Sequence, residues 1–387
     1  MQIPTVTRFP GFRETPLSSV LFVVCVLAAA VACREDDDSV EPVMPDAAVS
    51  LIDLPYAPES YAFPLPAHFP QMSQPDSNRA TVAGVALGRR LFFDPILSRD
   101  SSFSCANCHR PELGFADNEL LSRGIDGLTT ARSSMSLLNV GYQESLFWDG
   151  RSASLEEQSL HPVEDQIELG AEWADIEARL RRSPDYRRGF RAAFGLESSA
   201  EIDRYYAAKA IAQFERSLIS GTSRFDSVFY QLDGFFTASE QRGLGLFFDV
   251  DNPTVLQPGC GHCHNAPLFG DDRFTNNGLQ SAETVGDFGD PGRGRVSGNR
   301  AQDNGKFKAP TLRNIALTAP YMHDGRLASL DDVLDHYSSG GHYSPTVDAN
   351  VTGFEMSERD RADLKAFLLT LTDEAALTRE EYQAPEG

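Results

Sequence analysis

Apolar residues recur at helical spacing near the end of each half of the chain: Ile211, Phe214 and Leu218, then Leu364, Phe367, Leu368 and Leu371. That period buries one face of a helix. Ser357 stands where a helix N-cap belongs, and Glu358 and Asp360 follow in the first turn, where acids suit the positive helix end. Strand-like alternation is scarce, so a mainly α fold is predicted. A further apolar run, Leu17 to Ala32, follows Arg8 and Arg13 and ends at Ala30-Val31-Ala32-Cys33. It is short for a membrane span, and its basic lead and small-residue end read as an export signal over residues 1–33. Small residues before a Cys also fit a bacterial lipobox, which makes Cys33 a candidate lipid anchor. Ala-Val-Ala equally suits cleavage to a soluble exported product. Residues 34–77 carry an acidic patch, Glu35 to Asp38, and then prolines from Pro42 to Pro75. They read as an extended tether or a strap, with the folded part starting near Thr81.

The chain repeats itself. Gly88-Arg-Arg-Leu-Phe-Phe-Asp94 recurs as Gly243-Leu-Gly-Leu-Phe-Phe-Asp249, and each terminal Asp lies 11 residues before a cysteine. The two closing helices fall at matching distances downstream. Two matches in the same order argue for a duplicated unit of helix, Cys-pair segment, long loop-rich insert and closing helix.

Cys105-Ala-Asn-Cys108-His109 and Cys260-Gly-His-Cys263-His264 lie inside the repeated units. Cys-x-x-Cys-His is the spacing of covalent c-type haem attachment: two thiols join the porphyrin vinyl groups and the next imidazole meets the iron. The pairs are too far apart for a zinc ribbon, no βαβ setting supports a thioredoxin-like dithiol, and a structural disulfide would not call for the histidine. The expectation is two cytochrome c-like domains, residues 78–235 and 236–376, each with one haem c, followed by a tail, 377–387. His262 reads as a spacer. The Gly-rich stretch from Gly286 to Gly305 lacks the strand and helix start of a phosphate cradle and reads as a loop near the second haem.

Charge narrows the partners. The formal net charge is −22, which argues against nucleic acid because phosphate contacts need a cationic face.

The sixth iron ligands separate an electron carrier from an enzyme. Between His109 and His161 there is no histidine and one methionine, Met135, so the first haem is expected to keep an open face. Hydrogen peroxide is then the expected substrate. Two six-coordinate irons would instead make a non-catalytic electron-transfer lipoprotein.

Residues 80–376 resemble the bacterial di-haem cytochrome c peroxidase family, including its MauG-like branch. The resemblance lies in Leu87–Asp94, Phe147-Trp-Asp-Gly-Arg151, Leu155-Glu-Glu-Gln158, Pro162–Glu168, Pro310-Thr-Leu-Arg-Asn314 and Pro320-Tyr-Met-His-Asp-Gly325. It implies that Glu168 is the acid-base carboxylate, Gln158 orients peroxide, Pro162 lines that pocket and Trp148 relays electrons between the haems. His161 is read as structural. Ser122 to Gly127, where some peroxidases carry a capping histidine, has none, so the enzyme is expected to act without prior reduction. Tyr337 occupies the place of the axial Met of the second haem, the MauG-like choice; His336 and Met356 are the other candidates. A phenolate ligand favours high oxidation states and lowers the potential. The resemblance also implies a calcium ion held by the carbonyls of Thr318 and Pro320, with Ser133 where the family has Asn. The partners implied are a cytochrome c or cupredoxin donor, or in the MauG-like version a protein that is oxidatively modified. The location implied is the periplasm of a Gram-negative bacterium.

Overall fold

A computed structural model of the protein describes residues 48–249, 258–298 and 300–386. The expected export signal, Cys33 and the first part of the tether lie outside them. Among the described residues no helix is long and apolar enough to cross a membrane.

The architecture is helical with little sheet. The helices are α1 (Val82–Phe93), α2 (Leu155–Gln158), α3 (His161–Glu164), α4 (Trp173–Arg182), α5 (Pro184–Phe194), α6 (Arg204–Ser217) and α7 (Arg224–Phe229) in the first half. The second half holds α8 (Ala238–Phe248), α9 (Leu330–Ser339), α10 (Glu358–Leu369) and α11 (Glu374–Leu377). One antiparallel pair, β1 (Phe274–Thr275) and β2 (Phe307–Lys308), sets Phe274 opposite Lys308. Side chains fix the helix starts: the Thr81 hydroxyl accepts from the Gly84 N–H of α1, and Asp203 from that of Tyr206 in α6. Ser357 and Asp360 cap each other at the start of α10, each satisfying an amide that the helix leaves unpaired.

The repeat is visible in the packing. α1 lies on α6 as α8 lies on α10. At both crossings a glycine of the repeated stretch touches backbone: a Cβ on Gly88 would come within 1.9 Å of the Ala210 carbonyl oxygen, and one on Gly243 within 1.9 Å of that of Asp363. A longer ungapped match also emerges, in which residues 137–164 correspond to residues 312–339. Asn139 and Asn314 share a left-handed backbone, φ 61° in each, and their N–H groups donate to Leu218 and Leu371, which correspond in the closing helices. Leu146 bridges to Ser152 across the Phe147–Arg151 turn, as Tyr321 bridges to Leu327 across Met322–Arg326. Ser154 and Ser329 cap α2 and α9 in the same way.

Residues 46–387 form one compact unit. Several contacts lock the halves together. Arg313 donates to both carboxylate oxygens of Asp226 at 2.7 and 2.8 Å, with both side chains fully buried. Asp373 accepts from Ser220, Gly221 and Thr222. Beyond α11, Tyr382 is buried and its ring meets Phe115 edge-on, so the C-terminal segment packs back onto the first half. The proline-rich segment packs as well, well before Thr81: Leu51, Phe69 and Met72 are buried, and His68 hydrogen-bonds Asp226 at 3.0 Å.

Asp226→Ala leaves the Arg313 charge buried and unpaired, and is expected to cost about 3–5 kcal/mol of stability. Denaturant unfolding of the full chain checks this.

Candidate active site

Each Cys-x-x-Cys-His motif folds as a 3-10 turn, Cys105–Asn107 and Cys260–His262, after which the histidine N–H donates to the carbonyl of the first cysteine at 3.0 Å in both halves. All four cysteines are free thiols, and burial pushes each above the ordinary thiol range. His109 Nδ1 bonds the Phe115 carbonyl at 2.9 Å, and His264 Nδ1 bonds the Pro310 carbonyl at 3.0 Å. Such a bond fixes the tautomer and leaves Nε2 as the ligating nitrogen. Burial lowers the pKa of both imidazoles, which keeps the neutral form that a metal needs.

Two cavities open beside these turns. The N-terminal cavity, about 610 Å³, is lined by Cys105, Cys108 and His109 together with Gln158, Pro162 and Glu168. The C-terminal cavity, about 240 Å³, is lined by Cys260, Cys263 and His264 together with Tyr337. Trp148 lines both, and its indole N–H donates to the Ser133 carbonyl at 2.9 Å. The sequence-expected residues therefore gather in two groups with one shared indole. His161 lies outside the cavity lining and packs edge-on against Phe147.

Glu168 follows the turn after α3. Burial and the Asp165 charge push its carboxyl up to about 7, against the opposing pull of Arg151. The Ser122–Gly127 loop holds it from behind: the Ile125 N–H donates to the Glu168 carbonyl, and a Cβ on Gly124 would fall 1.5 Å from the Ile167 oxygen.

The internal match sets the two cavities apart at one position. Pro162 corresponds to Tyr337, so where the second half presents a phenol the first presents a ring with no ligating atom. Met135 also lines the cavity, and its backbone carbonyl faces the His109 ring.

In the C-terminal cavity the Asn277 amide donates to Met322 Sδ at 3.2 Å and to the Tyr337 hydroxyl at 3.4 Å. Burial pushes the Tyr337 phenol up to about 12. His336 bonds the Asn277 carbonyl through Nε2, and neither it nor Met356 lines the cavity.

The Gly-rich loop departs from its expected place. Gly289, Asp290, Arg295 and Val296 line the N-terminal cavity, and among the described residues from Gly286 to Gly305 none lines the C-terminal one. The cause is an ion pair between the halves: Arg132 donates to both Asp290 oxygens at 2.7 and 2.9 Å and to Asp149 at 2.7 Å. Sequence reasoning did not find these residues, because nothing local pairs Arg132 with a loop in the other half.

Thr318, Pro320 and Ser133 meet at the C-terminal cavity. The Ser133 hydroxyl donates to the Met322 carbonyl at 2.9 Å, and among the described residues no group of three acidic, His or Cys side chains could hold a metal ion. Calcium prefers six to eight oxygens, with affinity set by ligand charge. The calcium ligands expected here are backbone carbonyls, which a cluster of such side chains would not include.

The profile of the di-haem cytochrome c peroxidase family matches residues 82–233. MauG, the methylamine utilization protein of Methylorubrum extorquens, is 38% identical over 304 residues, 78% of this chain and 82% of that protein. The chain belongs to the di-haem cytochrome c peroxidase family. Cytochrome-c peroxidase IdrP1 of Denitromonas iodatirespirans is 32% identical over 84% of this chain and 90% of its own. Among solved structures, a MauG-like protein associated with microbial copper homeostasis superposes with a TM-score of 0.78 at 35% identity, covering 84% of this chain and 99% of that one. Haem is the family's cofactor, and each cavity fits it: two free thiols, an inward imidazole and a largely apolar wall.

Gly124→Ala is expected to force the loop off the Ile167 carbonyl and cost about 1–3 kcal/mol. Thermal unfolding of the variant checks it.

Proposed function

We propose that the protein is an exported di-haem peroxidase that reduces hydrogen peroxide to water at the N-terminal cavity, with electrons entering through the C-terminal one. The observation that carries this reading is that Glu168, Gln158 and Pro162 line the same cavity as Cys105, Cys108 and His109. Cys105 and Cys108 would hold a haem by thioether bonds, with His109 at its iron, and the haem would supply the centre for peroxide and electrons. Glu168 takes the proton from the nearer peroxide oxygen and returns it to the departing one. Two electrons and two protons turn the peroxide into two waters. Gln158 orients the peroxide through its amide. Trp148, on the wall of both cavities, carries electrons between them, since an indole is oxidisable and shortens the gap. His264 and Tyr337 would hold a second haem bonded to Cys260 and Cys263. Electrons come from a small cytochrome c or cupredoxin, and the site of action is the periplasm.

A second reading is favoured by Tyr337. An anionic oxygen ligand lowers the potential of the second haem, which suits oxidation of a residue on a partner protein, as in the MauG-like branch. Steady-state turnover with reduced cytochrome c separates the readings: rapid turnover supports the peroxidase, and its absence beside rapid peroxide reaction supports the protein-modifying role.

The acid-base role makes a kinetic claim. As the base must be ionised, peroxide cleavage should rise with pH through about 7, the titration range of Glu168. Glu168→Gln should slow cleavage by about 10²-fold or more and remove that rise while haem content stays intact. A stopped-flow pH series with unchanged rates would defeat the assignment.

Tyr337→Met replaces an oxygen anion by a thioether, so the potential of the C-terminal haem should rise. Spectroelectrochemistry showing no change would remove Tyr337 as its ligand.

A further inference from the structure

A second carboxyl faces the N-terminal cavity, and the mechanism above makes no use of it. Glu215, in the last turn of α6, is only 5% exposed and lines the cavity beside Cys105. Its Oε2 is buried without a hydrogen-bond partner. The neighbouring cation does not neutralise it by contact: Arg216 makes a two-point pair with Glu156, at 2.7 and 2.9 Å. A carboxyl held this way is favoured in its neutral form, and burial pushes Glu215 up to about 8.

The fold does not require a carboxyl at this position. In the closing helices Phe214 corresponds to Phe367 and Leu218 to Leu371, which sets Glu215 opposite Leu368. Leu368 is buried and lines the C-terminal cavity. The same place in the same architecture is filled by an aliphatic side chain in one half and a carboxyl in the other. Packing alone would favour leucine in both.

We propose that Glu215 is the proton-exchanging partner of electron transfer at the N-terminal haem: it releases a proton to solvent when that haem loses an electron and takes one up when the electron returns. The proposal rests on the attachment of haem in this cavity. The electron passes to or from the redox partner, or the electrode in a titration, so each one-electron change is matched by one proton. The physical cause is Coulombic. Removing an electron adds one positive charge to the cavity, and in a medium of low dielectric this favours the ionised carboxylate. By linkage, deprotonation must ease removal of the electron to the same extent.

Other charges around α6 are engaged elsewhere. On α1, Arg90 bonds Asp185 and Arg89 bonds the carbonyls of Glu380 and Gln383. On α2, Glu157 caps the Ala153 N–H. On α4 and α5, Glu177 pairs with Arg181 and Asp185 with Arg188. The Tyr142 hydroxyl, in the turn against α6, is pushed up to about 12 by burial and titrates well above Glu215. Asp149, Asp165 and Asp290 also line the cavity, the first and last paired with Arg132 and Asp165 accepting from the Ile167 N–H. Glu168, pushed up like Glu215, is the competing group that the experiment must separate.

The test is a redox titration of the haem-loaded full chain at a series of pH values spanning the Glu215 range. Intact mass first establishes that haem is attached; a chain without haem at Cys105 and Cys108 overturns both the attachment and this proposal. In the wild type the N-terminal haem potential should fall by ~59 mV per pH unit, the equivalent of a tenfold change in a one-electron equilibrium. In Glu215→Leu, which copies the second half, and in Glu215→Gln, that slope should vanish, with the C-terminal potential unmoved. Glu168→Gln should keep it. A slope that survives in both Glu215 variants, or is lost in Glu168→Gln alone, overturns the proposal. Redox-difference infrared spectra of the wild type provide a reading that depends on no variant: a protonated-carboxyl band must appear on reduction, and its absence with haem attached also overturns the assignment.

Discussion

The hydrogen bond from each motif histidine to a backbone carbonyl is the constraint on which the rest is built. His109 Nδ1 meets Phe115 and His264 Nδ1 meets Pro310, so each ring has one nitrogen committed to the chain and the other turned to a cavity. A mobile imidazole would lose ligand geometry to rotation, and a protonated one could not ligate. The carbonyl solves the first problem and burial the second. Phe115 and Phe269 both take positive φ, 59° and 52°, an uncommon backbone for aromatic residues. Both follow their histidine closely and both are wholly buried. The phenyl ring thus anchors each core while the backbone returns toward the imidazole.

The halves depend on each other as well as on their own cores. Arg132 draws a loop of the second half onto the cavity of the first, and Arg313 anchors the second half to Asp226 at the end of the first. The two pairs differ in kind. Arg313 and Asp226 are fully buried, and Ser223 and His68 complete the hydrogen bonding around Asp226. A satisfied buried pair of this type fixes geometry more than it adds stability. Arg132 is near the surface of the first cavity, where it sets what the mouth is made of.

How much was legible in the sequence follows from locality. The two motifs, the Gly88 and Gly243 repeats and the Ser357 cap are read from residues a few positions apart, and spacing alone identifies them. The grouping of Gln158, Pro162 and Glu168 came through resemblance, since no spacing rule says that residues on two short helical turns and the segment after them face one cavity. The Gly-rich loop was placed beside the wrong cavity because its position depends on an ion pair spanning the chain from Arg132 to Asp290. The match of residues 137–164 with 312–339 was hidden by sparse identity and by inserts of unequal length. It becomes plain only when Asn139 and Asn314 share a dihedral angle and donate to corresponding residues, Leu218 and Leu371.

That hidden symmetry gives the differences between the halves their meaning. A duplicated fold supplies the same positions twice, so a change of residue type at a matched, buried position is not dictated by packing. Several matched positions of the cavity walls differ in residue type, and three of them bear on ligands and charge: Pro162 against Tyr337, Trp148 against His323, and Glu215 against Leu368. The first removes a ligating atom from one half. The second sets an indole where its walls adjoin both cavities, while His323 stacks on Phe307 at 3.6 Å. The third adds a titratable group where an alkyl chain suffices. All three bear on the same side of the pseudo-symmetry: on the proposed reading, the first half lacks the ligand that Tyr337 would supply to the second and gains groups that would carry electrons and protons. One half would thus be equipped for a reaction that moves both, and the other for holding its ligands constant while charge passes through.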